Sequence, residues 1–233
     1  MTQNQTQQGA KLLVAILDKG RALGAAGLCG QCMPHTILPA RGTANNELLD
    51  YLGLARNAKE VLLVLLAPGA GSTVLQSIAQ KLELQRPGHG IALTVPLSGV
   101  NSRAMQLAQQ GAGTTTQTGG QKNMKEKPHY DLVLAVVNEG TTDLAVDAAH
   151  AAGARGGTLL HGRSTGDATG FLGVALPPER EVVAIVVQSG QRRAVLGAIN
   201  QAAGLASPAQ GLVFSVPVDE VEGLHEPLLQ ADT

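Results

Sequence analysis

A chain of 233 residues has room for one large domain or two compact ones, and two small domains would each be marginal alone and would share an interface. Apolar residues make up 44% of it but aromatics only 2%, so the cores are built from Val, Leu, Ile and Ala, and base stacking onto a nucleic acid is nearly unavailable. The net charge of -1 leaves no basic footprint for nucleic acid or an anionic membrane, and no apolar run is long enough for membrane insertion.

The chain opens on a Gln-rich stretch, 1–8, without the basic and apolar regions of a signal peptide. With two cysteines there is no secreted disulfide framework, and a soluble cytoplasmic protein with a disordered tail over 1–10 is expected. A strand at 12–17 leads into helices near 21–31 and 71–83, with a strand at 62–66 between them. Residues 101–129 hold the run GAGTTTQTGGQKNMKEKP, too rich in Gly, Thr and Gln to form a core, and read as a flexible linker. Its Lys122, Lys125 and Lys127 read as a solvated tether.

Beyond it the pattern is sharper. Residues 132–137 form a short β-branched strand, and Leu144, Ala145, Ala148, Ala149 and Ala152 fall at helical spacing before Gly153 stops the helix. Strands follow at 158–161 and 181–187, separated by a Gly-rich loop, 162–178. A helix over 191–203 carries the stripe Val195, Ile199 and Ala202, and 212–218 closes the unit as a strand. Residues 225–233 read as a tail.

The second half repeats the first. LLVAILDKG (12–20) answers LVLAVVNEG (132–140), ARGT (40–43) answers GRST (162–165), and YLGL (51–54) answers FLGV (171–174). EVLLV (60–64) answers EVVAI (181–185), and PGHGIALTVPL (87–97) answers PAQGLVFSVPV (208–218). Five blocks in order at a nearly constant offset define two domains, 11–100 and 130–224. The expected fold class is α+β: two tandem ferredoxin-like βαββαβ domains. In that fold both helices cover one face of the sheet. Yet Leu132, Leu134 and Val136 alternate with Val133, Ala135 and Val137, and both sets are apolar. The helix-free face therefore also needs burial, by packing between the repeats or between chains, which predicts an oligomer.

A βαββαβ unit with a long β2–β3 loop and a Gly-containing turn before its last strand resembles the PII-type nitrogen regulatory proteins. The blocks that carry the likeness are AAHAAGARGGTLLHGRSTG (148–166), FLGVALPPEREVVAIVV (171–187) and AQGLVFSVPVDEVEGL (209–224), with ILPARGTANNELLDYLGL (37–54) and RPGHGIALTVPLSGV (86–100) in the first repeat. The resemblance is to a PII-like branch that sometimes occurs in tandem. It implies a non-enzymatic signalling protein, usually trimeric, acting in nitrogen metabolism. It implies adenine nucleotides (ATP or ADP) or another small anionic effector in clefts, no required cofactor, and a transporter or enzyme as the regulated partner. On that likeness 42–54 and 162–178 correspond to the effector loop and 86–90 to the phosphate-side loop. The family's Lys beside the Gly-rich turn is replaced by Ile91 and Leu212.

The candidate sites each have two readings. Arg86, Gly88 and Gly90 can cradle a phosphate with backbone N–H groups and a guanidinium, or form a tight turn into a strand; Gly211 holds the matching place in the second repeat. Arg41, beside Gly42 and Thr43, and Arg163, near Thr165, are retained by both loops; either binds an anion bidentately or ties its loop to an acidic neighbour. Tyr51 is matched by Phe171, which fits a hydrophobic anchor. Cys29 and Cys32, with His35 close behind, suggest a metal or redox cluster or simply reduced thiols; the second repeat has no cysteine there. Gly162–Gly166 matches a GxSxG pattern, with Asp219 and His225 later, but a loop follows where a nucleophile elbow needs a helix. The alternatives to an effector-binding regulator are a metal- or redox-handling protein and a structural oligomer with degenerate clefts.

Overall fold

The computed structural model describes residues 9–30, 35–43, 58–111, 129–163 and 179–224. In chain order the elements are β1 (Lys11–Asp18), α1 (Ala22–Leu28), β2 (His35–Gly42), β3 (Ala58–Leu66), α2 (Gly71–Lys81), β4 (Ile91–Pro96), α3 (Ser102–Gly111), β5 (Tyr130–Asn138), α4 (Thr142–Ala151), β6 (Thr158–Arg163), β7 (Glu179–Gln188), α5 (Arg192–Ala203), β8 (Leu212–Val218) and β9 (Glu220–Glu222). The protein is thus mixed α/β, with antiparallel sheet pairing throughout the registered strands. None of its described helices is long and apolar enough to cross a membrane.

Two compact units emerge. One holds 1–37, 60–122 and 219–233, the other 38–59 and 123–218. In the second unit the strand order is β8-β5-β7-β6, which in repeat terms is fourth, first, third, second. Val133, Ala135 and Val137 of β5 and Val183, Ile185 and Val187 of β7 face Ala145 and Ala149 of α4 and Val195, Ile199 and Ala203 of α5. Helix α4 stops because Gly153 takes a φ of +92°, letting the Gly153 N–H reach the His150 carbonyl and the Ala154 N–H reach that of Ala149, both at 2.9 Å.

The opposite face of this sheet carries a second apolar set. The register places Leu132 beside Val216 and Val186, Leu134 beside Phe214 and Ala184, and Val136 beside Leu212 and Val182. None of these belongs to the helix-backed core. Phe214 and Leu212 remain 47% and 41% exposed.

The first unit has the order β3-β1-β4-β9, with residues 35–37 of β2 beside β3. Leu13, Ala15 and Leu17 of β1 and Leu62, Val64 and Leu66 of β3 pack under Ala22, Ala25 and Ala26 of α1 and Leu75, Ile78 and Ala79 of α2. Each large side chain so buried contributes about 1.5–3 kcal/mol.

Two elements of this unit depart from the sequence reading. Helix α1 ends at Leu28, where the expectation ran to 31. Residues 102–111, assigned by composition to the linker, form α3. The side chain of Asn101 accepts a hydrogen bond from the Ala104 N–H at 2.8 Å, a helix-start cap. Ala104, Met105, Leu107 and Ala108 then share one face, with Ala108 fully buried in the core. The Gly/Thr/Gln run starts only where α3 ends; 112–128, like the tails 1–8 and 225–233, lies outside the described residues.

Strand β9 lies along β4, Val221 opposite Leu93 and Glu220 opposite Thr94. The anchor is Lys11, 8% exposed, whose ammonium contacts the Asp219 carboxylate and lies 3.3 Å from Glu220 Oε1. The Ser72 hydroxyl donates to the same Glu220 oxygen at 2.5 Å, and the Asp219 N–H donates to the Thr94 carbonyl at 2.9 Å. Burial alone would lower the Lys11 pKa, but its hydrogen bond to Asp219 and the charges of Asp219 and Glu220 together outweigh that and hold it above 10.5. A lysine raised on folding adds stability below its unfolded pKa and loses it as pH climbs through the folded one. Urea unfolding as a function of pH should therefore show wild type losing stability above pH 10.5 more steeply than Lys11→Met. Parallel pH profiles would refute the role given to this lysine.

Candidate functional site

Two regions hold the sequence-predicted residues. At the end of β2, Arg41 stands opposite Leu159 and Gly42 opposite Thr158 of β6. Thr43 continues the contact: its N–H donates to the Gly157 carbonyl at 2.9 Å, and its hydroxyl accepts from the Gly157 N–H at 2.6 Å. Strand β6 runs two residues past the expected 161 and β2 runs to Gly42, so Arg41 and Arg163 are strand residues and not loop residues. Arg163 ends β6, with its Nε 3.8 Å from Glu179 Oε1 of the paired strand. Both partners are more than half exposed, so the pair is worth only about 0–1 kcal/mol. Arg41 is likewise exposed. Each arginine thus sits at the mouth of a connection of fifteen residues, 43–57 or 164–178. Thr165, Tyr51 and Phe171 lie outside the described residues.

The second region is the turn before the last strand of each repeat. Two residues beyond α2, Glu83 takes a φ of +53°, and the Glu83 carboxylate binds the Arg86 guanidinium at 3.0 Å. The Arg86 N–H donates to the Glu83 carbonyl at 2.9 Å and the His89 N–H to the Arg86 carbonyl at 3.2 Å. Those two N–H groups point into the turn and are not offered to an anion. Gly90 has a φ of +120°, and a Cβ there would lie 2.5 Å from the Ile16 carbonyl oxygen. At Gly211 a Cβ would lie 2.0 Å from the Ala203 carbonyl oxygen. Close backbone approach accounts for both glycines without a ligand. Gly88, at a φ of +84°, meets nothing within 4 Å. In the second repeat the Gln210 N–H donates to the Ser207 carbonyl at 3.0 Å and the Ala209 N–H to the Ser207 hydroxyl at 3.2 Å.

Sequence reading missed the arginines that hold these turns. His89 and Gln210 occupy matching places, and each offers its carbonyl to a guanidinium. Arg21, just before α1, donates to His89 O at 3.4 Å and to Leu82 O at 3.0 Å. Arg180, from β7, donates to Gln210 O and Val136 O, each at 3.0 Å, and contacts the side-chain oxygen of Asn138. Arg180 is 5% exposed, and burial lowers its pKa. Beside it, Glu181 accepts from the Gly140 N–H at 3.0 Å, as the matching Glu60 accepts from the Ala22 N–H at 3.3 Å. For the second turn a basic–acidic pair opening an otherwise apolar strand, Arg180-Glu181, was the available signal.

Cys29 is buried at the end of α1, its thiol donating to the Ala25 carbonyl at 3.5 Å. Burial pushes its pKa up to about 11, which disfavours the thiolate that redox or metal chemistry needs. His35 is exposed at the start of β2, and Cys32 lies outside the described residues. Among the described residues no cluster of three or more His, Cys, Asp or Glu can hold a metal.

Two outcomes follow from this geometry. Gly90→Ala should lower unfolding free energy by about 2 kcal/mol or more in denaturant titration, because strain and overlap coincide there; an unchanged midpoint would contradict the close approach. In a Cys32→Ser background, Cys29 at neutral pH should react with a thiol reagent on the order of 100-fold more slowly folded than in denaturant, as its raised pKa requires. Equal rates would show a reactive thiolate.

No family model matches the chain, and no curated protein matches it. Among solved structures the chain is similar to Arabidopsis thaliana PII bound to citrate, at 23% identity and a TM-score of 0.31, over 41% of this chain and 80% of that one.

Proposed function

We propose that the chain is a non-enzymatic PII-like regulator made of two tandem ferredoxin-like βαββαβ domains. It binds a small anionic effector, an adenine nucleotide first among the candidates, and acts on a partner protein through its two β2–β3 connections. The observation that carries this reading is the recurrence of one architecture. Both repeats run βαββαβ with the order fourth, first, third, second. Both leave a connection of fifteen residues at the same point, with an arginine at its entrance.

The chemistry needed is modest. A guanidinium on a strand end presents a planar fork to phosphate or carboxylate. An effector that binds one arrangement of a connection better than another shifts its population by that difference in affinity, with no bond made or broken. Arg41 with Gly42 and Thr43, and Arg163 with Thr165, are the primary contacts in this proposal. Arg86, Gly88, Gly90 and Gly211 are secondary, since turn geometry already explains most of them. Inward of the β8 edge, the apolar helix-free faces are covered by other copies of the chain, a trimer on the family pattern.

The test is thermal shift of the whole chain with ATP, ADP, cyclic nucleotides, 2-oxoglutarate and citrate at millimolar concentration. At least one should raise Tm by several degrees, and Arg41→Ala or Arg163→Ala should reduce that rise without moving the ligand-free Tm, both side chains being exposed. No stabilisation by any of them, with the oligomer intact, would replace the sensory reading with a structural one.

A further inference from the structure

The two repeats treat the same sheet edge in opposite ways. In the first unit β9 lies along β4, and Leu93, opposite Val221, is fully buried. The matching strand in the second unit is β8, which among the described residues has a neighbour on one side only, β5. Phe214 holds the place of Leu93: Leu93 stands opposite Val14 in β1, and Phe214 opposite Leu134 in β5. It is 47% exposed, with Leu212 at 41%. Strand β8, LVFSVPV, contains no charged residue, and an apolar edge without charge is a template for strand pairing.

The surroundings specify what fits. At the covered edge, Lys11 and Ser72 hold the carboxylate of Glu220. In the second unit Lys11 is replaced by Asp131, each opposite the strand proline, Pro96 or Pro217. Asp131, 3% exposed, is bound by Arg192 at 3.2 Å. The place of Ser72 is taken by the exposed Arg193, since α2 and α5 align through Val74-Leu75 and Val195-Leu196. An arginine therefore stands where the first unit presents a hydroxyl to a carboxylate.

We propose that the outer edge of β8 receives an antiparallel strand from a partner protein, an acidic–apolar–acidic segment whose apolar residue covers Phe214 and whose carboxylate meets Arg193. This goes beyond the effector reading and does not depend on it. Pairing of β8 with itself in a second copy supplies no carboxylate to Arg193, because β8 has none. The β9 of a second copy is already committed to its own β4.

The probe is a fluorescent peptide of sequence PVDEVEGL, which reproduces residues 217–224, titrated into the full chain and read by anisotropy. Saturable binding is expected, weakened about 10-fold or more by Phe214→Asp, by Arg193→Glu, and by a lysine peptide PVDKVKGL. Leu144→Asp, at an exposed leucine on α4, should leave affinity unchanged. Circular dichroism of each variant guards against misfolding, and the peptide series with wild-type protein needs no variant. The proposal is overturned by absence of binding at millimolar peptide or by binding indifferent to both β8-side substitutions. It is equally overturned by binding lost only in Lys11→Met, which would place the peptide on β4. A concentration-dependent dimer that Phe214→Asp dissolves, with no peptide binding, would assign the edge to a second copy instead.

Discussion

Each sheet of this protein is apolar on both faces, while its helices reach only one. In the second unit Val133, Ala135 and Val137 look toward α4 and α5, and Leu132, Leu134 and Val136 look away. Among the described residues the helix-backed cores contain no aromatic ring. Small side chains such as Ala25, Ala145 and Ala149 let helix and strand come close together, and packing rests on Val, Leu and Ile. In the second unit the helix-backed half is buried, and the half that carries Phe214 and Leu212, 47% and 41% exposed, sets the terms on which anything else, chain or ligand, meets it.

Polar groups occupy the rim of this arrangement and differ between the repeats. At one corner of the sheet, Lys11 in the first repeat collects two carboxylates from the end of the second. At the corresponding corner the buried charge is Asp131, satisfied by Arg192. A buried charge without its partner is costly, so each corner supplies its own counter-charge. The chain's own β9 takes the berth beside Lys11, and at the β8 edge Asp131 is already bound by Arg192 while the exposed Arg193 offers the cation. Sequence duplication supplied two similar edges, and two substitutions of charge made them distinguishable.

The repeat made most of the architecture legible. Alternation at 132–137 and 181–187 located β5 and β7, and LVFSVPV located β8 to the residue. Helix α3 was hidden because its ten residues border a low-complexity run, and composition averaged over both obscured the Asn101 cap and the apolar face. Strand β9 was hidden because three residues carry too little periodicity to announce a strand. Site residues were less legible than elements. Gly90 and Gly211 draw the eye as phosphate-binding signals, yet the nearest atoms to their missing side chains are carbonyl oxygens of their own fold. Arg21 and Arg180 do not look like a pair, being 159 positions apart by number and on different elements, and only their shared acceptor place reveals the common task.

That shared task constrains how the halves can be recombined. The carbonyl at His89 is reached from the loop ahead of α1, whereas its counterpart at Gln210 is reached from a sheet strand. A chimera joining the opening segment of the first half to the later strands of the second would bring two guanidinium groups to one oxygen. The reciprocal chimera would bring none. Although drawn to one plan, the halves have become non-interchangeable parts, each turn held by a guanidinium from a different element.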